Sequence, residues 1–152
     1  MKTSIALVLL AATTTLSSGT TFTVTTTNDA GAGSLRQAIG DANASPGLDS
    51  IIFNIPGAGP HSIQPLSPLP TITDPVVIDG YTQPGASPNT LSQGDNAVLV
   101  IELDGTSAGA GASGLTITSG GSTVSGLAIN RFTANRPLQN RVILPELFFG
   151  HG

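Results

Sequence analysis

Short aliphatic runs, three to five residues long, alternate with Gly, Pro, Asn and Asp along most of this chain. Residues 21–25 (Thr-Phe-Thr-Val-Thr) alternate strictly, which predicts a strand with Phe22 and Val24 on one face. Ile51, Phe53 and Ile55 share a face in the next run, which Pro56-Gly57-Ala58-Gly59-Pro60 breaks. Residues 71–73 and 76–78 read as short strands separated by Asp74-Pro75, and Asp79-Gly80 ends the second. Residues 98–103 give the strongest strand signal, with Leu99, Ile101 and Leu103 on one face and Glu102 and Asp104 on the other. Two further runs, 114–118 and 124–130, are joined by Ser119-Gly120-Gly121-Ser122.

One stretch departs from this grammar. Leu35, Ala38, Ile39 and Ala42 fall at i, i+3, i+4 and i+7, the stripe of an amphipathic helix over about 34–44. Ser34 suits the N-cap, and Gln37 three residues on completes a capping box. Pro46 disfavours helical geometry at Ser45 and stops the helix. A lone amphipathic helix needs an apolar surface, and the expectation is that it lies as a lid over the open end of a stack of strands. Strands this short fit a sandwich or a parallel β-helix, and periodicity alone does not choose between them.

Composition sharpens the class. With 39% hydrophobic but only 9% charged residues, and 19 Gly among 152 residues, the chain reads as one all-β domain with many tight turns. There is no Cys, so disulfides and thiolate metal sites are excluded. Lys2, the apolar run 5–12 and the small residues that follow read as a secretory signal peptide over 1–19, with Ser17 and Gly19 at −3 and −1 of the cleavage site. The run is far short of the ~20 residues that span a membrane. Residues 20–130 carry only Arg36 against eight carboxylates. So acidic a body lacks the cationic footprint that nucleic acids require.

Residues 21–39 (through Gly33-Ser34-Leu35-Arg36-Gln37-Ala38-Ile39), 41–43, 46–47, 50–53, 72–86 and 125–132 together resemble secreted bacterial right-handed parallel β-helix repeat proteins with an N-terminal CSLREA-like motif. Gly33 stands where the name-giving Cys would be, and Gln37 replaces Glu. The resemblance implies a short right-handed parallel β-helix, a solenoid module over 20–132, closed at its first coil by the helix. It implies little about activity. Residues 133–152 lose the Thr/Gly/Val pattern and gain Arg, Leu and Phe. The expectation is a non-native or truncated tail after about Arg131, with a C-terminal cap built on Val142, Ile143, Leu144, Leu147 and Phe148 as the alternative.

Candidate chemistry is sparse. Glu102 and Asp104 lie two apart on one strand face, about 6.8 Å between Cα atoms, a spacing compatible with a glycosidase carboxylate pair. Asp79 and Asp104 each precede Gly, which also fits turn residues. Tyr81 and Gln83 open a long excursion, residues 81–96, and are the candidate ligand-binding residues. His61 and His151 stand alone in sequence, so no metal site and no cofactor are expected. The functional expectation is a non-catalytic scaffold, secreted or at the cell surface, structural or adhesive and part of a larger protein, whose partner is a surface glycan or protein. The alternative is a remnant of a carbohydrate-active β-helix enzyme, a polysaccharide lyase or glycoside hydrolase.

Overall fold

The computed structural model describes residues 18–134 and 141–143. The leader expected over 1–19 lies outside them except for Ser18 and Gly19, as does most of the 133–152 tail, with His151, Leu144, Leu147 and Phe148.

Strand β1 (Thr21–Val24) leads into a turn at 28–33, and helix α1 (Leu35–Ala44) follows. Ser34 caps it, its Oγ accepting the Gln37 N–H at 3.2 Å. The capping box forms only by half, because the Ser34 N–H donates to the Gly31 carbonyl at 3.1 Å. Leu35, Ala38, Ile39 and Ala42 are all buried, and the helix packs on β1 and on β2 (Asp49–Phe53). Ser45, extended before Pro46, ends it.

The remaining strands are β3 (His61–Ile63), β4 (Val76–Asp79), β5 (Ile101–Asp104), β6 (Thr123–Ser125), β7 (Leu127–Asn130) and β8 (Arg141–Ile143). They form two four-stranded sheets. The first has the order β1-β2-β4-β6 and the second β3-β5-β7-β8. All pairings are parallel except β7 with β8. Phe22, Ile51, Ile78 and Val124 align across the first sheet, and Ile63, Leu103 and Ile129 across the second. Both sheets send these side chains into one apolar core.

This arrangement corrects the all-β expectation. β1 and β2 are parallel, and α1 is the crossover between them, a βαβ unit of the kind parallel pairing demands. The chain is thus a small α/β protein with two parallel sheets and one helix among the described residues. It is not a right-handed β-helix: no closed solenoid forms there. The connections carry proline breaks and an excursion instead of a third ladder, and only isolated bridges, Ile72 with Ile117 and Ser87 with Val98, pair outside the strands. β-branched content signals strands. It does not report that a helix is the connection between two of them.

Candidate functional site

Two strands of different sheets end in the same device. Asp79 at the end of β4 accepts the Tyr81 N–H at 3.0 Å, and Asp104 at the end of β5 accepts the Thr106 N–H at 3.0 Å. Each carboxylate thereby caps a single 3-10 turn, Gly80–Thr82 and Gly105–Ser107. An oxygen acceptor is what the unpaired N–H groups at such a turn need.

The first turn fixes the two candidate ligand-binding residues in the interior of a corner. Gln83 is 1% exposed, and its amide binds both backbone groups of Ile55: Oε1 accepts the N–H at 2.8 Å, and Nε2 donates to the carbonyl at 2.8 Å. The β2 ladder ends at Phe53, so at Ile55 the Gln83 side chain supplies the pairing a neighbouring strand would have given. Tyr81 is half-buried, and its hydroxyl is buried without a hydrogen-bond partner. Burial raises its pKa, and the charges of Asp95 and Asp79 add to the effect. The Gln83 amide is therefore fully engaged within the fold.

Glu102 and Asp104 share one side of β5, and the structure surrounds them with five residues that their spacing does not reveal: Ser62, Gln64, Thr106, Asn130 and Arg131. Gln64 Nε2 donates to Asp104 Oδ2 at 2.7 Å. Arg131 bridges the pair, its Nη2 2.7 Å from Glu102 Oε1 and its Nε 2.7 Å from Asp104 Oδ1. Asn130 Nδ2 donates to Glu102 Oε1 at 2.9 Å, and Thr106 Oγ1 to Asp104 Oδ1 at 2.7 Å. The Arg131 guanidinium, with Thr106 and Gln64, holds the Asp104 carboxyl far below the usual carboxylate range. Asn130 and Ser62, then Arg131, lower that of Glu102. A general acid needs a raised pKa, and here both carboxyls are pushed the other way. The cluster works as an ionic staple tying β5 to the end of β7. Arg131 takes a left-handed backbone (φ 57°), a conformation rare for a residue with a side chain.

The staple predicts how acid acts on the fold. Carboxylates with depressed folded pKa values contribute stability that is present above their unfolded values, about pH 4, and is lost as pH falls through the folded ones. Asp29, lowered first by the Arg36 guanidinium 2.6 Å away, adds to the same trend. The melting temperature should hold between about pH 5 and 7 and fall progressively below about pH 4. Arg131→Asn keeps a residue tolerant of the left-handed backbone and removes the guanidinium. The gap in melting temperature between the two proteins should be widest near pH 6 and close toward pH 2, as thermal melts across that range would show.

The exposed part of the excursion begins after Gln83. Ser87 and Val98 exchange backbone hydrogen bonds (3.1 and 2.8 Å) and close a loop at its base. Inside it, Asn89 Oδ1 accepts the N–H groups of Leu91 (3.0 Å) and Asn96 (3.2 Å). Asn96 Oδ1 accepts the Thr90 N–H at 2.8 Å, and Asp95 that of Ala97 at 2.8 Å. The loop is an internally bonded unit of the Ω type. It displays Leu91, 50% exposed, next to polar neighbours.

Among the described residues no group of three or more His, Cys, Asp or Glu stands together as a metal site. Fold and site define a small α/β protein in which the ion pairs among the described residues, Arg36 with Asp29 and Arg131 with Glu102 and Asp104, tie its own segments together. Compared with known protein families, curated proteins and solved structures, the chain matches none.

Proposed function

We propose that this chain is a non-catalytic module exported from the cell, structural or adhesive, that holds the 87–98 loop toward a protein or glycan partner at a surface. The observation that carries the reading is the loop itself. It is closed at its base by the Ser87–Val98 pair and braced by Asn89, Asp95 and Asn96, yet it leaves Leu91 in water. Ordering a loop in advance removes part of the entropy that binding would otherwise cost. Burying an exposed leucine side chain against a partner gains about 1.5–3 kcal/mol.

The framework beneath it supports the same reading. Arg36 ties the helix to the segment at 66–68, donating to the carbonyls of Ser67 (2.9 Å) and Pro68 (2.8 Å). Asn43 likewise brackets 71–73, donating to the Thr71 carbonyl and accepting the Thr73 N–H, each at 2.8 Å. These side chains stiffen turns.

The test is binding of the purified protein to arrays of surface glycans and surface proteins, with Leu91→Asp as the comparison. Leu91→Asp should weaken binding at least about tenfold, the loss of one central contact, while the melting temperature stays put. Equal binding by both proteins, or turnover of uronate or neutral glycans by the wild type, would overturn the reading.

A further inference from the structure

The most deeply buried carboxylate of the described chain lacks a counter-charge. Asp49 opens β2 and is 0% exposed. Its Oδ1 accepts the Thr20 N–H at 2.6 Å and the Ser45 hydroxyl at 3.3 Å, and its Oδ2 is buried with no hydrogen-bond partner. Taking an ionised carboxylate out of water is among the costliest events in folding unless a cation accompanies it. The two cations whose side chains the structure describes are committed elsewhere, Arg36 to Asp29 and Arg131 to Glu102 and Asp104. Asp74, which accepts the Gly47 N–H at 3.0 Å, is a further carboxyl and supplies no cation.

The shorter of the two hydrogen bonds to the Asp49 carboxylate comes from the backbone nitrogen of Thr20. Residue 20 also follows Ser17 and Gly19, the small residues at −3 and −1 of the expected leader cleavage site. We propose that cleavage between Gly19 and Thr20 completes the fold: it turns the Thr20 amide nitrogen into an α-ammonium that pairs with Asp49. This inference rests on the reading of an exported protein. The step is hydrolysis by a signal peptidase. Water adds across the Gly19–Thr20 amide, the C–N bond breaks, Gly19 leaves as the carboxylate end of the leader, and the Thr20 nitrogen takes both protons of the water to become an ammonium.

The geometry accommodates the cut. Residues 18–20 are exposed, and β1 starts at Thr21, so every pairing with β2 survives, including the Ser50 N–H to Thr20 carbonyl bond at 2.8 Å. An ammonium carries three hydrogens where the amide has one. The additional two bring donors and a full charge to a carboxylate that has one oxygen unmatched.

The sequence supplies a clean probe. Lys2 is the chain's single lysine and leaves with the leader, so Thr20 would carry the only primary amine of the processed protein. The full chain is expressed in a secreting bacterial host, and the exported product is weighed intact and sequenced from its N-terminus. Residue 20 as first residue is the expected result. Export with a different first residue overturns the inference and leaves the exported reading standing; failure of export overturns that reading. The exported protein is then treated with an amine-acylating reagent near pH 8, native and in denaturant. At pH 8, close to the ordinary pKa of an α-amine, a rise of about 1.5 units lowers the free fraction about fifteenfold, so native labelling should be at least about ten times slower. Asp49→Asn should restore most of that rate. Equal rates in native and denatured wild-type protein would show that the ammonium is unpaired. If Asp49→Asn does not fold, the wild-type comparison decides alone.

Discussion

Ile39→Asp should abolish cooperative unfolding and drive the protein into aggregates. Ile39 is 0% exposed in the middle of α1 and faces the first two strands of the first sheet. Removing an aliphatic side chain of this size from a core costs about 2–5 kcal/mol. The aspartate then either buries an unpaired charge, at several kcal/mol more, or forces the helix off its seat. Total stability for a domain is only about 5–15 kcal/mol. Losing the helix also bares β1, which is the edge of its sheet, together with the apolar side chains beneath it. Ile39→Val separates the causes, because it keeps the face apolar and should cost only about 1 kcal/mol. Thermal melting and light scattering on both variants check this. Unchanged solubility and melting temperature for Ile39→Asp would show that the helix does not cover the first strands.

That helix was legible because its information is local. Four apolar residues at helical spacing, a serine cap and a proline stop all lie within 13 residues, Ser34 to Pro46. Several strands were legible for the same reason, although the run at 98–103 becomes a strand only from Ile101 onward, the runs at 71–73 and 114–118 form only the isolated Ile72–Ile117 bridge, and β3 at His61–Ile63 was not foreseen. Pairing was not, since it is written in partners far apart: Ser50 sits beside Val77, and His61 beside Ile101. The all-β expectation failed at that point, because only the β1–β2 register shows that α1 is a crossover. The site followed the same rule. Glu102 and Asp104 were found from their spacing on one strand, but the guanidinium that pairs with both comes from Arg131, beyond a different strand. Gln83 looked available to a ligand because it opens a polar loop. Its amide is needed by Ile55, whose unpaired backbone groups become visible only in three dimensions. Asp49 gave no signal at all: an aspartate next to Leu48 and Ser50 reads as a surface residue until its burial is known.

Gly126→Ala should be a severely damaging single-methyl change, costing about 3–6 kcal/mol. Gly126 is the whole link between β6 in the first sheet and β7 in the second, and it makes the turn with φ at 70°. A side chain at this left-handed geometry costs about 1–2 kcal/mol before anything is touched. A methyl there would also overlap the Tyr81 nitrogen and come within 2.8 Å of the Gly80 carbonyl carbon. Those are backbone atoms of the 3-10 turn that starts the excursion, so no side-chain rotation relieves the contact. Two neighbours divide the effect into its parts. Gly121 has φ 76° but open space around it, so Gly121→Ala should show the backbone penalty alone, about 1–2 kcal/mol. Gly120 has open space and no positive φ, so Gly120→Ala should change stability by less than about 1 kcal/mol, in the stabilising direction. Denaturant melts on the three proteins should therefore rank them Gly120, Gly121, Gly126 in rising loss. If Gly126→Ala falls level with Gly121→Ala, the two backbones do not touch. The corner that seats Tyr81 and projects the 87–98 loop would then be held by Gln83 and Asp79 without the close approach at Gly126.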